Sequence, residues 1–566
     1  MTQNGDIEVT DTERGDRLDR AARAAVLHLL WIAPLIVLPI AIYVRVFQGL
    51  FQGDALAAAQ TAREIVAGHG VATLWAFPME IALRGGEFPR PDLAQGPLYP
   101  LVLAAFFGAF AATDRVVAAV SLLFLIATGI ALYALASRAF GRTAGVLAVV
   151  FFVVGLETLM QGVSGSRLPM AAFLVTLAAV LLYGRECTAR RAAAAGAVLS
   201  LAYLTDAANL ALVIPFGLFA VYLGAERRWR RLALFAVGFV AVAAPWWIRN
   251  AVVAGDPFYS LRHYWAGMFT STHPEFTLLR GTDTSALGVW SYLAEHPREF
   301  VAKIVRNLQA LHTRAPAALG IYVVAFFLAG ILHPLQDGRA RLLRKCLYVG
   351  LVLQMVLCAA QNPNSNFMAP LVPLVLVFAA GFFVHLLGRL ESRRARGWAV
   401  AVFVALAVYP TAVTLVAPRV SPNRSRANLD YMKQALPAGT VVVSDVPSQV
   451  AWYSERPAVV LPLGKRDYDA VDSEVDVGAI YLSYRLRGWS AGEGAGGWLL
   501  VPRAGLKGFV TVFPTPERPS AEALLVREDL ARELGLQPSG AAMEPTGGAS
   551  EGPGAPAAEA GEGPPG

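Results

Sequence analysis

Charge is scarce in this sequence. Asp, Glu, Lys and Arg make up 16% of its 566 residues, against about 25% in an ordinary soluble domain. Hydrophobic residues reach 56% and fall into repeated blocks of roughly 17–22, the length a helix needs to cross a bilayer. Such runs exclude a soluble globular chain and are too long for barrel strands. Cysteine is scarcer still. Cys187, Cys346 and Cys358 lie in or beside apolar segments, with no CxxC spacing and no paired histidines, so neither a disulfide framework nor a zinc site is expected. There is no Gly-rich phosphate loop, no HExxH and no GxSxG, which excludes a nucleotide-driven pump, a zinc protease and a serine hydrolase. The formal charge of +7 belongs to the loops of a membrane protein and implies no nucleic acid.

What is present is a series of apolar segments with basic clusters between them. Residues 1–23 carry Arg14, Arg17, Arg20 and Arg23, which place the N-terminus inside. The first span, 24–46, has no small-x-small cleavage site and reads as uncleaved. A polar loop, 47–96, then lies outside. Apolar segments follow at 97–112, 116–136, 143–161, 168–184, 192–204, 209–224 and 232–248. A second outer loop covers 249–315, and four more spans lie at 316–332, 343–360, 367–387 and 398–416. The chain is thus expected to be an α-helical polytopic membrane protein of about 11–12 apolar segments over 24–418. The arginine and lysine clusters near 185–191, 227–231, 339–345 and 389–396 should face the cytoplasm. One conflict remains. Arg138 and Arg142 also read as inside, leaving room for one crossing where 97–112 and 116–136 offer two. Either 97–112, short for a span, is re-entrant or lies along the outer face, or it crosses and 137–142 is outside.

From 419 to 537 the pattern changes. A helix ending at Pro437 and Gly439 precedes short β-rich runs, TVVVSD, AVVLP, GAIYLS, GWLLVP and FVTVF, between turn residues. This predicts a small extracytoplasmic α/β domain. The tail from 538, rich in Pro, Gly, Ala and Glu, is expected to be disordered.

The outer loops hold the chemistry. Asp54 stands at the N-cap position of a helix predicted over 55–67 and ended by Gly68. A carboxylate held by backbone N–H groups stays ionised, which suits a general base as well as a cap. Glu80, Arg84, Glu87, Arg90 and Asp92 read mostly as a solvated loop. Gly96-Pro97-Leu98-Tyr99-Pro100 is a rigid turn into an apolar helix, with Tyr99 as a belt residue or a sugar-stacking one. Trp246 and Trp247 read as belt anchors. Arg249, Arg262 and His263 follow at the outer boundary, suited to a lipid phosphate or to plain solvation. Arg167 lies at the outer face, and Asp206 and Asn209 form a tight outer turn with a structural role.

Several of these stretches resemble the GT-C membrane glycosyltransferases, in particular glycosyltransferase family 39 with the protein O-mannosyltransferases and aminoarabinose transferases. GDALAAAQTAREIVAGHG is similar to the family's first-loop acidic motif. AQGPLYPLVLAAFFGAF is similar to its Pro-Leu-Tyr turn, SRAFGRTAG follows in order, and PWWIRNAVVAGDPF is similar to its second-loop segment. The likeness covers about residues 25–420. Two departures stand out: Asp54 is followed by Ala55 where the family often has a second acid, and Gln95-Gly96 replaces a basic residue and a proline. The resemblance implies transfer of a sugar from a polyprenyl-phosphate donor to a protein, glycan or lipid acceptor on the extracytoplasmic face of the cell membrane. It implies Asp54 as the catalytic residue, and Arg63, Gln95, Tyr99, Arg167, Arg249 and His263 as donor- or acceptor-binding residues. A divalent cation is left open. Other readings are a lipid or sugar transporter or flippase, which the scarcity of ionisable residues near span centres disfavours, and an inactive scaffold that binds a partner through its outer domain.

Overall fold

Helix α1 (Trp31–Val46) leads into a loop that carries much of the structure's outer architecture. The computed structural model describes residues 29 and 31–537 apart from 185–187, 224–227, 285–288, 320, 363–364, 418–424, 489–494 and 515–520. The segment 1–23 and the tail from 538 lie outside the described residues. The first loop folds as α2 (Gly53–Val66), β1 (Ala72–Thr73), β2 (Trp75–Ala76), α3 (Pro78–Arg84) and β3 (Arg90–Pro91). The bundle continues with α4 (Leu98–Ala109), α5 (Asp114–Phe140), α6 (Arg142–Val154), α7 (Leu156–Val163), α8 (Leu168–Leu182), α9 (Ala189–Thr205), α10 (Val213–Tyr222) and α11 (Arg228–Ala254). The second loop holds a 3-10 turn (Leu261–Ala266), α12 (Thr277–Arg280) and α13 (Val289–Glu295). Then come α14 (Pro297–Leu319), α15 (Ile321–Ile331), α16 (Gly338–Ala360), α17 (Val372–Gly388) and α18 (Arg393–Val416). Among the described residues five helices are long and apolar enough to cross a membrane, or six if α6 and α7, bent by 67°, count as one. Shorter apolar helices, α1, α4 and α8 among them, pack between them, and the chain is a multi-pass membrane protein.

The conflict around 97–112 is resolved by length and by attachment. α4 has 12 residues, about 18 Å at 1.5 Å per residue, too short for a core of about 30 Å. Asp114, the first residue of α5, accepts from the backbone N–H of Leu50 at 3.4 Å. Both ends of α4 therefore lie on the face that carries the first loop, and α4 does not cross. A second difference lies at α14, which starts at Pro297, inside the stretch expected as loop. Its charges hid it: Lys303 is fully buried yet gives its ammonium protons to the carbonyls of Trp265 and Ala266 at 2.6 and 3.1 Å.

The C-terminal region contains α19 (Arg426–Ala435), β4 (Val441–Ser444), α20 (Pro447–Gln449), β5 (Ala458–Val460), α21 (Lys465–Val475) and β6 (Val477–Leu482). It ends with α22 (Ala495–Ala504), β7 (Phe509–Phe513), β8 (Ala523–Arg527) and α23 (Glu528–Glu533). GWLLVP, expected as strand, lies in α22; a short apolar run does not declare its period. The six-stranded sheet has the order β2-β5-β4-β6-β8-β7. β2, β5, β4 and β6 pair in parallel, and β8 runs antiparallel to both β6 and β7. The edge strand β2 comes from the first loop, so the C-terminal domain is completed by residues about 380 positions upstream of β5, with Trp75 beside Ala458. The sheet's inward-facing Val443, Val459 and Ile480 are fully buried.

Candidate functional site

α2 begins two residues earlier than expected, at Gly53. Its N-cap is Gln52, which makes no side-chain capping bond, and Asp54 sits within the first turn. There the carboxylate gains from the helix dipole without being consumed by its own backbone. It turns to the connection between α7 and α8 instead. Ser166 Oγ donates to Asp54 Oδ2 at 3.2 Å, and Arg167 Nη1 lies 3.7 Å from the same oxygen. The Asp54 side chain is 33% exposed, enough to meet a ligand.

That connection is held rigidly. Gly165 has φ +78°, and a Cβ there would stand 2.7 Å from Leu50 Cδ2 and 2.9 Å from Val117 Cγ1, so glycine is required on both counts. Tyr99 donates its hydroxyl to Gly165 O at 2.7 Å, and Ser121 donates to Ser166 O at 2.9 Å. Arg167 is fixed from its other side by Asp206 Oδ2, which accepts from Nε at 3.0 Å and Nη2 at 2.9 Å. Arg262 closes the group, donating from Nη1 to Asp206 Oδ1 at 2.6 Å and from Nη2 to Oδ2 at 3.3 Å. Asp206 and Arg262 are buried. Burial alone would raise the Asp206 carboxyl; the Arg262 and Arg167 guanidiniums outweigh it and hold the group well below the usual carboxylate range. Two acids and two guanidiniums thus form a neutral network. Asp54 and one edge of Arg167 are its outward end.

The wall opposite belongs to the C-terminal domain. The carboxyl ends of parallel β4 and β6 face residues 51–54. Ser448 Oγ lies 3.7 Å from where a Gly53 Cβ would be, and Arg485, just past β6, donates to Phe51 O at 3.4 Å. Arg485 has no acidic partner among the described residues. Asp445, at the end of β4, accepts from Ser483 N at 2.8 Å and Oγ at 2.5 Å; burial pushes its carboxyl up, against those bonds.

The other predicted site residues are placed differently. Arg63 leaves the site and donates to Trp452 O at 3.0 Å, Ala451 O at 2.6 Å and Glu455 Oε1 at 3.2 Å. Tyr99 is fully buried and offers no face for stacking a sugar or for a membrane belt. Arg249 spends its fork on the first loop, donating to Asp92 O and Val71 O at 3.0 Å each, and lies over Trp246, 4.6 Å from the ring centroid. His263 packs edge-on against Tyr259, 6.1 Å between ring centroids. Gln95 Oε1 is buried with no hydrogen-bond partner among the described residues. Its neighbour Gly96 lies so close to α9 that a Cβ would meet Leu204 O at 2.2 Å, which accounts for the residue there. Glu80, Arg90 and Asp92, expected in solvent, are buried because the loop folds over them. Asp92 accepts from Thr61 Oγ1 at 3.1 Å and from the N–H groups of Ala94 and Gln95 at 2.9 and 3.2 Å. Asp206, read as structural, and Ser166 are the members of the network that sequence reasoning did not select, and Arg262, read as a cation for a lipid phosphate or for solvation, is instead committed to Asp206.

Among the described residues no three His, Cys, Asp or Glu side chains cluster to hold a metal ion. Asp206 has both oxygens committed to guanidiniums, so it cannot join Asp54 as a second carboxylate ligand, and the donor set beside Asp54 does not fit a resident cation.

No family model matches this sequence, and no curated protein matches it. Solved structures do. The archaeal oligosaccharyltransferase AglB from Archaeoglobus fulgidus, in complex with an inhibitory peptide and a dolichol-phosphate, matches with TM-score 0.53 at 14% identity, over 85% of this chain and 73% of that one. ArnT from Cupriavidus metallidurans, bound to undecaprenyl phosphate, matches with TM-score 0.53 at 12% identity, over 90% of this chain and 98% of that one. The chain has the GT-C fold, with the α/β region at its C-terminus.

Proposed function

We propose that this chain is a glycosyltransferase that moves a sugar from a polyprenyl-phosphate donor to an acceptor on the face where Asp54 lies, and that this face is extracytoplasmic. The observation that carries the reading is the partly exposed Asp54 carboxylate set against Arg167 Nη1 at the mouth of a GT-C fold. The arginine clusters on the far side of the span count support the orientation.

The acceptor's hydroxyl or amine attacks the anomeric carbon, the bond from that carbon to the phosphate oxygen breaks, and the polyprenyl phosphate leaves with inversion. Asp54 takes the proton that the nucleophile loses. Negative charge grows on the leaving phosphate, and Arg167, held in place by Asp206, together with Arg485 from the opposite wall, stabilises it. Arg249 acts at one remove: by holding Val71 and Asp92 it shapes the loop that ends at Gln95. The acceptor and the sugar are left at class level.

Asp54→Asn, reconstituted with labelled polyprenyl-phosphate sugar, is expected to lower kcat by about 10²–10⁴ while donor affinity stays within a few-fold. Unchanged turnover by a folded variant would remove Asp54 from the reaction. Arg167→Lys should weaken both donor binding and turnover, because a point charge cannot keep the bidentate hold on Asp206 and still reach Asp54.

A further inference from the structure

A cavity of about 330 Å³ lies away from the Asp54 network, between the second loop and the C-terminal domain. Its walls include His273, Asp283, Tyr292, His296 and Asp467. The rings of Tyr292 and His296 stand 5.1 Å apart, tilted by 42°, and form a splayed aromatic wall. In the same lining, Asp467 Oδ1 accepts from Thr282 N at 2.9 Å and Oγ1 at 3.0 Å, which fixes the carboxylate. His273 Nδ1 is buried with no hydrogen-bond partner among the described residues, although a buried polar atom left unpaired costs free energy. The same wall is tied to the domain by Arg280, which donates to Leu461 O at 2.7 Å and Pro462 O at 3.1 Å. The cavity is therefore built, and one of its polar atoms awaits a partner.

We infer that this cavity binds one uncharged sugar ring. An apolar sugar face stacks on aromatic rings, while its hydroxyls need fixed acceptors and donors such as a carboxylate and an imidazole nitrogen. The volume is at the lower end for small-ligand sites and suits a single ring. The fixed Asp467 carboxylate disfavours an anionic ligand such as a uronic acid or a phosphate. The inference stands on the cavity and not on the transfer reaction.

The test is saturation-transfer NMR on the full chain in detergent with methyl glycosides of mannose, glucose, galactose and arabinose, and with glucuronic acid as the anionic control. At least one neutral glycoside should bind and glucuronic acid should not. His296→Ala, which removes an exposed ring, should weaken that binding at least tenfold. Gly281→Val should abolish it by filling the cavity, since a Cβ there has its nearest neighbours at 3.7 and 3.8 Å and folding is left intact. Asp54→Asn should leave it unchanged, so loss of transfer and loss of sugar binding are read separately. Binding by none of the neutral glycosides, binding that persists in Gly281→Val, or preferential binding of glucuronic acid would each overturn the inference. So would a divalent metal ion held through His273 and His296 with no glycoside bound.

Discussion

At the scale of single residues, the exposed end of the network and its buried end differ in how readily they are seen. Asp54 is legible because an acid that directly follows an apolar span has few reasons to be there. Asp206 is not, because its partners lie 39 and 56 positions away, and each residue alone fits an ordinary turn or a solvated arginine. The structure joins them in a buried cluster, where removing one partner leaves charge uncompensated. Asp206→Asn should therefore cost roughly 3–5 kcal/mol and lower the thermal midpoint of the purified chain; a midpoint within a degree of the parent would refute the network's structural role. Glu80 makes the opposite case. Burial raises its carboxyl to about 7, against the pull of the Arg90 guanidinium. The folded loop thus prefers the protonated acid, and stability is greatest at and below the unfolded pKa. It declines as pH rises from there to about 7. Glu80→Gln, which can still accept from Phe77 N, should flatten this slope and add on the order of 2–3 kcal/mol at pH 8. Melts followed by tryptophan fluorescence at pH 5 and pH 8 should show the variant's advantage only at the higher pH.

At the scale of elements, apolar periodicity made the long helices readable, and the failures occur where length or charge misleads. A 12-residue helix looks like a weak span until the attachment of Asp114 shows that both its ends share one face. α14 looks like a loop because its Lys303 and Arg306 are satisfied by carbonyls that no sequence pattern reveals. β8 was not expected and β2 has only two residues; neither has a local signal, since each exists through its neighbour in the sheet. The placement of α4 predicts that single cysteines at Gln95 and at Ala111, in a chain freed of its own three cysteines, react with an impermeant maleimide from the same side of the membrane. Labelling from opposite sides would make α4 a crossing and reverse every later span.

At the scale of the whole molecule, the membrane bundle and the outer domain are one catalytic body in this reading, because the site wall opposite Asp54 comes from the domain. The attachment is polar and concentrated. Asp114 accepts from Trp452 Nε1 at 2.7 Å and Tyr453 OH at 2.9 Å, with Arg426 Nη1 at 3.6 Å. The same Tyr453 hydroxyl, with one proton to share between the two acceptors, lies 2.8 Å from Leu50 O. Arg63 stacks over Trp452, 4.9 Å from the ring centroid, and shares Glu455 with Lys433. One carboxylate at the start of α5 therefore fixes the segment 452–453, a few residues after α20, whose Ser448 approaches Gly53. Asp114→Ala removes the acceptor of the buried Trp452 Nε1, a loss of about 1–3 kcal/mol if that group finds no water. The bundle does not depend on those bonds, so the damage should be local. Hydrogen exchange is expected to rise in 448–455 and 50–54 while α5, α8 and α9 keep their protection. Turnover should fall with Asp54 itself intact, because Arg485 and Ser448 would no longer be held against the mouth. Uniform loss of protection through the bundle would mean that Asp114 supports the fold at large. Unchanged exchange at 448–455 would mean that the domain is held by its other contacts, those of Arg63, Arg280, Arg485 and β2 among them.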